Sequence, residues 1–134
     1  MQEYVLGFAF NGMKTQVALI RKLRPVWQYG KINGIGGKIE AGEMPLEAMI
    51  REFKEEAGVE IDDWREYCRI EGPDFKIYCF RALTFLENLQ TMEDEQVEIW
   101  RVDKLHEAGT LPNVPWLVHL AMDTEPHYSV IHYG

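Results

Sequence analysis

The stretch from Gly37 to Val59 constrains this chain more than any other, because it carries two patterns at once. Leu46, Met49, Ile50 and Phe53 fall at i, i+3, i+4 and i+7, one apolar stripe with a 3.6-residue period. Pro45 suits the first helical position, where a missing N–H costs nothing. Gly58 suits the left-handed residue just past the end. The segment therefore reads as an amphipathic helix of about three to four turns that must lie on an apolar surface. On the same helix Glu52, Glu55 and Glu56 crowd together. Like charges at this spacing destabilise a helix by a few tenths of a kcal/mol per pair. A bound divalent cation would offset that cost. The plain alternative is a solvated acidic face. Glu52 and Glu56, four residues apart, share a face beside the apolar stripe, with Glu55 next to them. Arg51 points back toward the loop before the helix.

That loop separates the two readings. Asn33-Gly-Ile-Gly-Gly-Lys38 holds three glycines in four positions, and Ile39-Glu40-Ala41-Gly42-Glu43 leads on to the helix. Glycines let backbone groups approach a ligand closely. A carbonyl from Gly36 or Gly37 could complete an oxygen cage for Mg²⁺, which favours octahedral oxygen ligands. The joint pattern is Gly37, five residues, Glu43, seven residues, then Arg51-Glu52-apolar-any-Glu55-Glu56-any-Gly58-apolar. Seven such identities, at roughly 7 % each, arise by chance about once in 10⁸ windows.

This pattern resembles the Nudix box, the signature of the Nudix hydrolases, in a MutT-like form. Gly37, Glu43, Arg51, Glu52, Glu55, Glu56 and Gly58 all match; Phe53 and Met44 stand where the family usually has an aliphatic residue and a Ser or Thr. The resemblance implies an α/β/α sandwich with a mixed sheet. It also implies hydrolysis of a nucleoside diphosphate linked to another moiety, with water attacking phosphorus and Mg²⁺, or Mn²⁺ in its place, neutralising developing charge. Carried over, Glu52, Glu55 and Glu56 ligate metal, one of them orienting the attacking water. Arg51 holds the carboxylate array by ion pairing, Glu43 braces the loop against the helix, and Lys38 touches a phosphate. Catalysis by positioning and charge stabilisation suits phosphoryl transfer.

The likeness extends, more loosely, to the enzyme of animals that destroys oxidised purine nucleoside triphosphates. Its Asn-Gly-Phe-Gly-Gly-Lys is similar to residues 33–38, and Asp94-Glu95, Trp100, Asp103 and Leu105 follow its spacing. In that subgroup the Asn contacts the purine and an acidic residue before the Trp strand joins the metal site. Here these would be Asn33 and one of Asp94 or Glu95, against the readings of a turn former and a solvated loop. One departure matters. The subgroup reads its purine with paired aspartates where this chain has Leu111-Pro112-Asn113-Val114-Pro115-Trp116. Asn113 can hydrogen-bond a base edge and Val114 cannot. Trp116 and Trp27 offer rings for base stacking, worth about 1–3 kcal/mol, against the reading of ordinary packing. An ADP-ribose hydrolase is the competing substrate reading, since some carry a Pro near the place of Pro73. That residue, however, sits in a Gly72-Pro73-Asp74 turn that favours Pro anyway. A non-catalytic sensor on the same fold would tend to lose a box glutamate, and none is lost here.

The remaining pattern fits a single α/β domain over residues 1–134. Tyr4–Phe10 and Gln16–Arg21 read as strands around an Asn11-Gly12 turn, and Trp27–Ile32 leads into the glycine loop. Trp64–Ile70, Lys76–Phe85, Val97–Val102 and Tyr128–Tyr133 follow. Asp103–Glu107 is a helical turn, and Asn113 caps a helix over Val114–Met122. A net charge of −8 argues against a nucleic-acid polymer as partner, but not against a small phosphate substrate, because a metal inverts the local field. No apolar run is long enough to span a membrane. The N-terminal residues lack a secretory pattern, and Cys68 and Cys79 show no metal spacing, so a cytoplasmic enzyme is expected. The resemblance adds a homodimer to the expected partners.

Overall fold

The computed structural model describes residues 1–125 and 127–134. Its strands are β1 (Gln2–Phe10), β2 (Gln16–Arg21), β3 (Ile32–Asn33), β4 (Ile35–Lys38), β5 (Arg65–Glu71), β6 (Phe75–Leu83), β7 (Gln96–Arg101) and β8 (Ser129–His132). Its helices are α1 (Pro45–Ala57) and α2 (Val114–Met122), with short 3₁₀ turns at Val26–Gln28, Leu86–Asn88 and Val102–Glu107.

All eight strands form one mixed sheet in the order β3-β2-β1-β6-β5-β8, with β4 also on β1 and β7 on β2. The long β1–β6 pairing is parallel and runs from Gln2 opposite Phe75 to Phe10 opposite Leu83. β5–β8 is parallel too, and the other pairs are antiparallel. β1 is central, and Val5–Phe10 are buried without a polar face, the pattern of a strand covered on both sides. Alternation divides its side chains between two cores. Leu6, Phe8 and Phe10 pack with Val17, Leu19, Val114, Leu117 and Val118 beneath α2. Val5 and Ala9 pack with Ala18, Ile20, Met49, Phe53 and Trp64 beneath α1. The result is the expected α/β/α sandwich.

α1 starts and stops where its residues dictate. Met44 at the N-cap is extended, and its N–H donates to Glu47 Oε1 at 2.8 Å, half of a capping box. Gly58 has φ 80° and donates its N–H to Lys54 O at 2.9 Å, the left-handed stop that favours glycine. Two expectations are corrected. The glycines are not simply a loop: after a 3₁₀ turn at Val26–Gln28 and the short β3 at Ile32–Asn33, they form β4. The reason is the ladder that β4 gains to Leu6 and its neighbours. Asn113 precedes α2 in a helical conformation, φ −84° and ψ −13°, and its side chain makes no capping hydrogen bond. Among the described residues no helix is long and apolar enough to cross a membrane.

Candidate active site

The site is built where α1 lies against β4. Leu6 pairs with Gly36 and Val5 with Gly37. A Cβ on Gly36 would sit 1.9 Å from Val5 O, so no larger residue allows β4 to approach β1 this closely. A Cβ on Gly37 would meet the Glu52 carboxylate at 2.6 Å. The bare glycine backbone is therefore what lets the Glu52 side chain lie directly on β4.

Arg51 organises the acidic residues around it. Its Nε donates to Glu43 Oε2 at 2.6 Å and its Nη2 to Glu43 Oε1 at 3.0 Å, a bidentate pair. Nη1 donates to Glu52 Oε1 at 2.9 Å and to Glu55 Oε2 at 3.3 Å, and Nη2 to Lys38 O at 3.1 Å. Glu43 Oε1 also accepts from Glu40 N at 2.9 Å, and Glu40 itself lies 3.5 Å from the guanidinium. One cation thus ties the loop 38–43 to α1. Its hydrogen bonds hold the Glu43 carboxyl below the usual carboxylate range. At Glu52 burial wins over the same arginine, and the carboxyl is held above that range.

Glu56 is the odd member. It is 7 % exposed, and its Oε2 is buried without a hydrogen-bond partner among the described residues. Burial first, and the Glu52 charge second, push its carboxyl up to about 8. Leaving an acceptor unmet in this way costs about 1–3 kcal/mol, so the fold maintains an oxygen that is available to something else.

The acidic loop before β7 closes over the C-terminal end of α1. Gln90 N donates to Ala57 O and Met92 N to Glu56 O. This brings Glu93 and Glu95 close enough for both charges to be felt at Glu56. Glu95, assigned to the metal by resemblance, has both oxygens engaged elsewhere. Lys22 Nζ reaches Oε1 at 3.1 Å, and the N–H groups of Leu23 and Arg24 reach Oε2 at 2.7 and 3.3 Å. Asp94 pairs with Arg24 on the exposed side. These carboxylates do not form a ready cage: among the described residues no three acidic, His or Cys side chains converge as a metal cluster. The reason is visible in the contacts, because Arg51 draws Glu52 and Glu55 toward itself while Lys22 and two amides hold Glu95.

The other anticipated residues lie on neighbouring segments. Asn33 pairs with Ile20. Its Oδ1 accepts from Gly34 N at 2.8 Å, and its Nδ2 faces Gln28 Oε1 at 3.4 Å. Residues 109–111 run beside β3, with Ile32 N to Gly109 O and Leu111 N to Ile32 O, so the segment leading to Asn113 passes next to Ile32. Trp27 is 70 % exposed and Trp116 is 40 % exposed; neither is committed to a core. The Lys38 side chain is exposed and enters no ion pair among the described residues. Sequence reasoning missed Lys22, Gln28 and Glu40. Because β2 is buried on both faces, its alternation carries no hint that Lys22, just past its end, turns toward Glu95.

The residues suit a divalent cation by their donor chemistry: hard carboxylate oxygens with one buried oxygen unmet, beside a backbone stripped of Cβ atoms. A family model of the NUDIX domain matches residues 2–122. The chain belongs to the Nudix family. The fold is shared with a MutT structure from work on the Aliivibrio salmonicida and Vibrio cholerae proteins, at 23 % identity and TM-score 0.76, over 90 % of this chain and 96 % of that one. It is also shared with the MutT protein of Bacillus halodurans, at 22 % identity and TM-score 0.76, over 99 % and 90 %. The Nudix domain of Shewanella oneidensis NrtR, solved with ADP ribose, superposes with TM-score 0.77 at 16 % identity, over 89 % and 84 %. No curated protein matches the chain by sequence. As a Nudix hydrolase it acts on pyrophosphate linkages, the chemistry for which Nudix enzymes generally use divalent metal ions.

Proposed function

We propose that this Nudix hydrolase is a Mg²⁺-dependent nucleoside triphosphate pyrophosphohydrolase of the cytoplasm, releasing a nucleoside monophosphate and pyrophosphate. The observation that carries this reading is the buried, partnerless Oε2 of Glu56 beside Glu52, in a helix that keeps every box glutamate. Glu52, Glu55 and Glu56, with a carbonyl of Gly36 or Gly37, would hold the metal, with Glu95 or Asp94 at its margin. A bound Mg²⁺ would neutralise phosphate charge and lower the pKa of a coordinated water. Arg51 fixes where the carboxylates stand, so little reorganisation is needed when charge develops. Lys38 faces solvent beside them and would take a phosphate oxygen. At the nucleoside end, Trp27 and Trp116 supply exposed rings for stacking, while Asn33 and Asn113 supply amide donors and acceptors for a base edge. Two free, buried cysteines fit a reducing compartment.

The ADP-ribose reading draws on the NrtR domain, which was solved with that ligand. Both are tested by one screen with normal, oxidised and methylated nucleoside triphosphates, ADP-ribose and dinucleoside polyphosphates. Pyrophosphate and phosphate are measured separately, with and without a chelator. Metal-dependent release of pyrophosphate from a triphosphate, lowered at least about 100-fold by Glu56→Gln, is the expected result. Turnover of ADP-ribose alone would replace the substrate, and no metal-dependent hydrolysis of any compound would remove the reading.

A further inference from the structure

The protein is strongly acidic, and its cations are mostly spent on carboxylates: Arg21, Lys22, Arg24, Arg51, Arg69 and Arg101 each sit in an ion pair. Lys14, Arg65 and Arg81 do not, among the described residues, and all three line the same cleft. Its volume is about 240 Å³, and its walls are completed by Phe10, Asp63, Ala82, Leu83 and Ala121. Three cations face one carboxylate there, so the lining is net positive on a molecule of charge −8.

The placement of these cations is unfavourable unless something answers it. Arg65 and Arg81 are direct partners across the β5–β6 ladder. Directly opposed residues share a face of the sheet, and like charges there repel. Arg81 is held in place by carbonyls: its Nη1 donates to Ala121 O at 3.0 Å and Asp123 O at 2.8 Å, at the C-terminal end of α2. Among the described residues its Nε and Nη2 have no hydrogen-bond partner. Lys14 enters from the β1–β2 turn in a left-handed conformation, φ 56°, with its N–H bonded to Asn11 O. Since Arg81 reaches the end of α2, the cleft opens on the face of the sheet opposite α1 and its glutamates.

We propose that this cleft is a second binding site for the phosphate oxyanion of a small molecule, separate from the hydrolytic centre. Two guanidinium forks on facing strands match the several oxygens of a phosphate, which a single carboxylate cannot satisfy. Lys14 adds a point charge to the lining, and Phe10 and Leu83 give it an apolar border. Orthophosphate and pyrophosphate have this chemistry, and either would let the protein respond to phosphate released by hydrolysis.

The test is calorimetric titration and thermal unfolding of the full chain in excess chelator, so that metal-dependent binding at the glutamates does not contribute. Orthophosphate, pyrophosphate and malonate are compared at equal ionic strength. Wild type should bind orthophosphate or pyrophosphate with a rise in Tm of about 4–6 °C at ten times Kd. The double variant Lys14→Gln/Arg65→Gln keeps the Arg81 bonds to α2. It should bind about tenfold or more weakly while its metal-dependent hydrolysis is unchanged. Equal binding by wild type and variant, an equal response to malonate, or no binding at all would each overturn the site. None of these outcomes bears on the proposed hydrolysis, which is measured with metal present.

Discussion

Gly37 and Glu52 occupy space that only one of them can fill: a Cβ on Gly37 would lie 2.6 Å from the carboxylate carbon of Glu52. Glu52 is already half desolvated and held by Arg51 Nη1, so it has little room to retreat. Gly37→Ala should therefore push the carboxylate off β4. Overpacking of this kind costs about 1–3 kcal/mol. Turnover should fall by at least about tenfold, since misplacing a positioned group by an ångström is costly. Denaturant unfolding and steady-state kinetics check the two effects, and a variant with native stability and native turnover would show that Glu52 does not need this contact.

Arg51 carries a second expectation. Its guanidinium meets Glu43 bidentately and reaches Glu52, Glu55 and the Lys38 carbonyl as well. Arg51→Gln leaves those carboxylates facing one another without a cation, at a cost of about 2–4 kcal/mol. Arg51→Lys should recover less than half of that, because an ammonium cannot reproduce a planar fork. Melting temperatures of the three proteins in chelator give the comparison. Full recovery by lysine would reduce the role of Arg51 to net charge.

A pH effect should appear at the β2–β7 edge. Arg21 donates to both oxygens of Glu98, at 2.6 and 2.9 Å, and this pairing holds the Glu98 carboxyl below its ordinary value of 4.5. A carboxyl depressed in the folded state stabilises the fold above the unfolded pKa, and that contribution is lost as pH falls through the folded value. Wild type should thus exceed Glu98→Gln by up to about 1 kcal/mol at pH 7. The gap should shrink steadily below about pH 4.5 and with added salt. A gap that holds constant from pH 7 to pH 3 would assign the difference to packing or to the bond from Trp100 Nε1.

What could be read in the chain beforehand follows the range of the interactions. α1 was legible to the residue because its stripe, its Pro45 start and its Gly58 stop are all local. The rough spans of most strands along the chain were legible for the same reason. β4 was not, since glycines have poor strand propensity and Gly36 is a strand residue only through its pairing with Leu6. At the site, the Nudix residues were visible as a spacing, and Arg51 could be aimed at its loop. The engagement of Glu95 by Lys22 and two amides was not legible, since it joins segments more than seventy residues apart.

Met44 offers a test of the α1 start that is independent of the chemistry. It stands at the N-cap with extended φ −80° and ψ 154°, the geometry from which a Ser or Thr oxygen reaches the N2 or N3 amide. The residue is 66 % exposed, so little packing is lost when it is replaced. Glu47 already returns its carboxylate to the Met44 N–H, and a hydroxyl at 44 would complete the reciprocal pair. Met44→Thr should therefore stabilise the protein by roughly 0.5–1 kcal/mol. Because the gain arises at the helix start, it should persist in chelator and vanish in Met44→Ala, which has the same backbone freedom but no oxygen. An unchanged melting temperature in the threonine variant would mean that the amides of Glu47 and its neighbour are already solvated well enough for the cap to add nothing.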